Sequence, residues 1–214
     1  MKKILIVIIF IALQAVNYGG GFSKVGTTAA QFLKIGVGAR AMGLGGSYTA
    51  LANDVTSLYW NPAGITNINN FSFAVSHSEW FADITYDIAG IVLPLSTSDI
   101  IALNVVALNT GEQEVTTVIQ PEGTGVFYDV SDLSIGLSYA RTLTDRFSVG
   151  LTVKYIQQNL YNESANTFAI DIGTTLHTGF HDLIIAMSLS NFGGNMKLEG
   201  RDLITLIEIG RASC

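Results

Sequence analysis

The sequence predicts an all-β fold: a transmembrane antiparallel β-barrel, represented by about seven strands and preceded by a short Gly/Ala-rich plug with short helices. Three observations carry this reading. Apolar residues recur with period two from residue 71 onward, the spacing of a strand whose two faces meet different surroundings. The alternate face is small and weakly polar, built from Ser, Gly, Ala and Thr with few Lys or Glu, which suits a barrel interior better than a surface in bulk water. The mean hydropathy is positive, yet after residue 15 no uninterrupted apolar stretch approaches the roughly 20 residues of a spanning helix.

The chain begins Met1-Lys2-Lys3 followed by an apolar run over residues 4–15, the layout of a secretory signal. Residues 1–19 are therefore expected to be a signal peptide, cleaved between about 15 and 21, with Ala15 or a position near Gly19 at the cut. No cysteine follows the apolar run, which argues against a lipoprotein. The full chain of 214 residues carries a net charge of −6, and losing the leader removes two lysines and no acid. That balance disfavours nucleic acid and other phosphate-rich partners. The one cysteine, Cys214, leaves no disulfide framework and no Cys-based zinc site, so redox chemistry is excluded as a function.

Residues 20–70 lack the two-residue rhythm and are read as the plug, with short helices over 28–34 and 54–59. The second has Asn53 or Asp54 available as N-cap and stops at Asn61-Pro62, because the residue before proline is pushed out of the helical region. Residues 71–214 form the barrel portion. Its clearest strands place Phe71, Phe73 and Val75 on one face, and likewise Leu133, Ile135, Leu137 and Tyr139. Phe147, Val149, Leu151, Val153 and Tyr155 follow, then Phe168, Ile170 and Ile172. More uniformly apolar strands run through 84–93, 100–108 and 183–191. Tyr86, Tyr139, Tyr155 and Phe168 are expected on the large-residue face near strand ends, where aromatic girdles meet the lipid headgroups. The connections 77–83, 109–130 and 157–167 read as medium or long, and 94–99, 142–146 and 178–182 as short. Such alternation matches outer-membrane barrels, with short turns on the periplasmic side and longer loops outside. A secreted β-sandwich, the competing architecture, would put charge on its outer face instead.

Motifs for chemistry are sparse. The stretch from Gly36 to Gly46 fits neither the dinucleotide fingerprint nor the phosphate loop. His177 and His181 lie near Asp182 and His77 stands apart, a polar turn at the membrane rim rather than a metal site. No nucleophile elbow or catalytic carboxylate pair is evident, so neither enzymatic activity, nor a metal, nor a cofactor is expected. Lys154 and Asp171 fall on small-residue faces and are expected to point into the lumen, as an internal ion pair or along a pathway.

Three strings carry a family likeness: Gly38-Ala39-Arg40-Ala41-Met42-Gly43, Ala50-Leu51-Ala52-Asn53-Asp54, and Leu58-Tyr59-Trp60-Asn61-Pro62-Ala63-Gly64-Ile65. With Phe168-Ala169-Ile170-Asp171-Ile172-Gly173 and Leu189-Ser190-Asn191-Phe192-Gly193, they resemble the PorV/PorQ family of bacterial outer-membrane barrels, a branch of the FadL-type channels, over residues 22–195. The resemblance implies that Asn61, Pro62 and Ala63 form the plug motif, and that the whole barrel has about fourteen strands. Against that count the chain reads as an N-terminal fragment, since unpaired strand edges in lipid cost several kcal/mol per backbone group. The implied function is a non-enzymatic, type IX secretion-like role in the bacterial outer membrane. Its partners would be outer-membrane lipid and exported cargo or secretion-machinery components. The alternative is FadL-like transport of hydrophobic compounds such as long-chain fatty acids, with a hydrophobic ligand as partner.

Overall fold

The computed structural model describes residues 29–200; the expected leader at 1–19, its cleavage site, the first residue of the 28–34 helix and the tail beyond 200 lie outside them. Seven long strands form one antiparallel meander: β1 (Ser72–Glu79), β2 (Thr85–Pro94), β3 (Asp99–Asn109), β6 (Val130–Thr144), β7 (Phe147–Leu160), β8 (Glu163–His177) and β9 (Ile184–Gly193). The connection between β3 and β6 carries a two-stranded ribbon of its own, β4 (Gln113–Glu114) with β5 (Phe127–Tyr128), and β10 (Glu199–Gly200) adds a short pairing to β8. Among the described residues the sheet is barrel-like but not closed, with β1 and β9 at its edges. No helix among them is long and apolar enough to cross a membrane.

Register aligns the faces across the sheet. Ala140 pairs with Gly150 and Gly150 with Gly173, while Ser138 pairs with Thr152 and Thr152 with Asp171. The row of small and polar side chains is therefore continuous from strand to strand and buried against the plug. On the opposite face Leu137, Leu151, Val153, Phe168, Ile172 and Met187 stand exposed, an apolar surface suited to hydrocarbon rather than water. The expected alternation holds on β6, β7 and β8: Leu133 to Tyr139, Phe147 to Tyr155 and Phe168 to Ile172 face outward.

Two expectations about the wall are corrected. Tyr86 points inward and is 2% exposed, its hydroxyl donating to the Ile35 carbonyl of the plug at 3.2 Å, so it belongs to the plug seat and not to an outer girdle. Tyr139, Tyr155 and Phe168 are on the outer face, with the Tyr155 and Phe168 rings 5.3 Å apart. The segment 157–167 is not a medium loop: β7 and β8 continue through Gln157, Gln158, Asn159 and Asn166 to a tight turn at 161–162. These residues lack the apolar rhythm because a hairpin's backbone ladder pairs without needing an apolar face. The strict alternation of loop lengths consequently ends after the turn 145–146, which is followed by another tight turn at 161–162.

The plug is a succession of short helical pieces. A 3-10 turn at Gln31–Lys34 corresponds to the first expected helix, α1 (Ala39–Gly43) falls where none is expected, α2 (Ser57–Trp60) overlaps the second and runs one residue past it, and a 3-10 helix spans Pro62–Asn67. The structural N-cap of α2 is Thr56, not Asn53 or Asp54. Asp54 instead accepts from the Thr56 N–H at 2.9 Å and holds the turn that leads into the helix. Asn61 takes extended backbone (φ −161°, ψ 104°) ahead of Pro62, as the proline requires. Phe32, Leu33 and Val37 pack on Tyr86, Val106, Ile156 and Ala169 of the wall, and Leu58, Ile65 and Ile68 pack on Val92, Ile100, Ala102 and Ala140. Two apolar clusters thus seat the plug on the inner face, one beneath each half of the segment.

Candidate functional site

The Asn61-Pro62-Ala63 motif lies at the centre of that seat. Asn61 is fully buried and joins three parts of the chain. Its Nδ2 is 3.0 Å from the Thr49 carbonyl, 3.2 Å from the Thr174 carbonyl and 3.3 Å from Thr175 Oγ1, while its Oδ1 accepts from the Ala63 N–H at 3.1 Å. The carboxamide therefore caps the 3-10 helix at Pro62–Asn67, ties it to the plug loop at Thr49, and ties both to β8. Proline at the first helical position gives up an N–H that has no helical partner there and presets φ.

The wall opposite this motif has no side chains to place. A Cβ at Gly150 would fall on the Pro62–Ala63 peptide, and one at Gly173 on Asn61 Oδ1 and the Pro62 ring. Those glycines are direct cross-strand partners. Their role is close approach: they let a helical backbone lie against a sheet backbone with no layer of side chains between. The alternation pattern places both on the inner face, but no sequence signal links them to residues so much earlier in the chain.

Residues from the other two family-like strings meet at one tyrosine. Arg40 Nη1 donates to Tyr48 Oη at 3.1 Å and to Asn53 Oδ1 at 2.9 Å, and Tyr48 Oη donates to Asp54 Oδ2 at 3.0 Å. The guanidinium also stands 5.4 Å from the Tyr48 ring centre, over its face. Burial raises the Tyr48 phenol above its ordinary range, and the Asp54 carboxylate that accepts its proton pushes the same way. The phenol thus stays neutral and keeps its donor. Trp60 Nε1 donates to the Val37 carbonyl at 2.8 Å and Tyr59 Oη to the Leu33 carbonyl at 2.8 Å, closing the plug on itself. Tyr48 was not singled out in the sequence, where a lone aromatic in a Gly-rich stretch carries no pattern.

Lys154 and Asp171 point inward together. Their Nζ and Oδ2 are 2.5 Å apart, with side chains only 4% and 1% exposed. Asp171 stands opposite Thr152, two pairs along from the Lys154–Ala169 pair and on the same face, so the diagonal of an antiparallel ladder brings the charges into contact. The third member is Asn191 of β9: Lys154 Nζ donates to its Oδ1 at 3.1 Å and its backbone N–H donates to Asp171 Oδ1 at 2.7 Å. Asn191 has φ 57° at the place where β9 slips register against β8 between Ile170 and Ile172. A backbone donor freed by the bulge is taken up by a buried carboxylate, so Lys154, Asp171 and Asn191 pair with one another inside the wall.

His177 ends β8, and His181 and Asp182 occupy the following turn with positive φ. His77 contacts Asp87 across β1 and β2 at 2.5 Å. Among the described residues no group of three His, Cys, Asp or Glu side chains is placed to hold a metal ion. At the end of the strands opposite His177, the connection 110–129 exposes Val118 and Ile119 beyond the ribbon, on a segment that also holds Glu112, Glu114, Glu122 and Asp129.

Taken together, the site is a plug seated on an inner wall by one asparagine and two glycines, with a buried ion pair inside that wall. A family model described as "Type IX secretion system protein PorV" matches residues 21–183. No curated protein and no solved structure matches the chain.

Proposed function

This chain belongs to the PorV family of type IX secretion system proteins, and from that premise we propose that it forms the plugged β-barrel wall of a bacterial outer-membrane protein. There it binds exported proteins or secretion-machinery components rather than catalysing a reaction. The observation that carries the reading is the pairing of an apolar outward face with a small, polar inward face filled by a seated plug. Lipid is the partner of the first face and the plug is the occupant of the second.

The residue roles follow from that arrangement. Asn61, Pro62 and Ala63 seat the plug, and Lys154 with Asp171 braces the wall beneath it. Residues 1–19 act as the export leader, 20–70 as the plug and the remainder as barrel wall. The end bearing the connection 110–129 faces outside, where longer loops of such barrels lie, and its exposed Val118 and Ile119 offer an apolar contact for a protein partner.

The test is native mass spectrometry of the protein extracted gently from its own outer membrane. Co-purifying exported proteins that share a C-terminal domain, or secretion components, are the expected result. Bound apolar molecules with no protein partner would favour FadL-like uptake and overturn the reading, as would recovery only in the water-soluble fraction.

A further inference from the structure

An ion pair stands on the outward face of β3 and β6, two neighbouring strands in the middle of the sheet and away from both its edges. Asp99 opens β3, Arg141 lies near the end of β6, and the two are direct cross-strand partners. Residue parity puts both on the same face as Ile101 and Tyr139. Along that face the pair has apolar neighbours on either side: Leu137 and Tyr139 toward the middle of β6, Leu143 toward its end, and Leu95 in the turn after β2, all exposed. The two charges are unequally engaged. Asp99 Oδ1 accepts from Tyr139 Oη at 2.5 Å and Oδ2 accepts from Ser96 Oγ at 2.9 Å, so two hydroxyls fix the carboxylate. Arg141 reaches it through one contact, Nη1 to Oδ1 at 3.4 Å, and its side chain has no other hydrogen bond or ion pair among the described residues. The arginine side chain is 53% exposed and the aspartate 26%.

We propose that Asp99 and Arg141 bind the headgroup of a phosphatidylethanolamine, with the lipid phosphate on Arg141 and the ammonium on Asp99. A guanidinium carries its N–H donors in a fixed fork that matches phosphate oxygens, and here all but one of them are unused. The apolar neighbours set this side chain at the edge of the hydrocarbon, from which a long cationic residue extends into the headgroup layer. The ammonium follows from the acid. An exposed carboxylate beside a lipid phosphate is repelled unless a cation arrives with that phosphate. Phosphatidylethanolamine brings both charges on one short arm, matching a pair that is itself neutral in sum. Phosphatidylglycerol brings the phosphate alone, and the quaternary nitrogen of phosphatidylcholine has no N–H for Asp99 to accept. The site rests on the reading of the outward face as lipid-facing and names a lipid for it. The turns 95–98 and 145–146 lie at the end of the strands opposite the connection 110–129, which in the proposed orientation is the periplasmic leaflet.

The experiment reconstitutes the full chain in vesicles holding equal shares of phosphatidylethanolamine, phosphatidylglycerol and phosphatidylcholine, recovers it by flotation, and reads the lipids it retains by native mass spectrometry. Phosphatidylethanolamine is expected to be enriched about three- to fivefold over each of the others, the range of one exposed charge pair. Arg141→Gln is expected to float as the wild type does and to lose the enrichment. Asp99→Asn is expected to keep a bound phospholipid while phosphatidylglycerol competes equally with phosphatidylethanolamine. Equal retention of the three lipids, enrichment of phosphatidylglycerol over phosphatidylethanolamine, undiminished enrichment in Arg141→Gln, or an unchanged preference in Asp99→Asn would each overturn the proposal and leave the lipid-facing reading intact. A chain that does not float with the vesicles would overturn that reading and the proposal together.

Discussion

Replacing Asn61 by alanine tests whether one side chain holds the plug. Nδ2 has two hydrogens and three acceptors within 3.3 Å, so it makes two good hydrogen bonds at a time, and Oδ1 accepts a third from Ala63. At about 1 kcal/mol net for each bond, the substitution removes about 3 kcal/mol of plug anchoring, of which the helix cap accounts for about 1. Asn61 is enclosed by the wall glycines, so water does not readily replace the lost partners. Amide hydrogen exchange in nanodiscs reads the result directly. The Gly64 N–H, bonded to the Asn61 carbonyl at 2.8 Å, and the Ile68 N–H, bonded to the Ile65 carbonyl at 3.0 Å, report plug opening. An anchoring loss of about 3 kcal/mol predicts about a hundredfold faster exchange at these amides with the β7–β8 ladder unchanged. Unchanged plug exchange, or equal loss in the ladder, would refute the idea that Asn61 anchors the plug locally.

Other substitutions separate the remaining contributions. Gly150→Ala and Gly173→Ala push a methyl into the Asn61–Ala63 backbone and are expected to destabilise the plug by about 1–3 kcal/mol, whereas Gly43→Ala, with open space around it, costs nothing or gains up to about 1 kcal/mol in helix propensity; the same exchange measurement compares them. Lys154→Met leaves Asp171 buried without its cation and is expected to cost about 3–5 kcal/mol in equilibrium unfolding. Adding Asp171→Leu should restore only part of that, because Asn191 N–H then loses its acceptor. Leu137→Arg on the outward face of β6, where the side chain is 61% exposed, is expected to cost about 2–4 kcal/mol in a bilayer, and Val118→Arg in the long connection to cost almost nothing; urea titration in liposomes measures both.

The wall was legible because period-two patterning is a local property that lipid makes strict. An outward residue between Leu133 and Tyr139, or between Phe147 and Tyr155, has no alternative to an apolar side chain, so the inward positions stand out by contrast. Legibility ended where that constraint ended. Gln157, Gln158 and Asn159 pair as regularly as their neighbours without advertising it, which is why the long β7–β8 hairpin reads as a loop. Tyr86 misleads for the opposite reason: an aromatic near a strand end suits a headgroup girdle and an inward plug contact equally, and only the residue parity of β2 against β3 decides.

The amino-acid sequence by itself determined that the chain is a sheet with one large and one small face, that Asn61 stops a helix before Pro62, and that Lys154 and Asp171 share the inner side. It did so because strand alternation, proline geometry and the cost of lipid-exposed charge act within a few residues. Tertiary structure alone decided what the small face is small for. Gly150 and Gly173 meet Asn61 and Pro62 from far along the chain, Asn191 completes the charged triad through a bulge, and Tyr48 gathers Arg40 and Asp54. Each is a contact between segments whose approach depends on how the plug settles against the wall, and no local pattern encodes that packing.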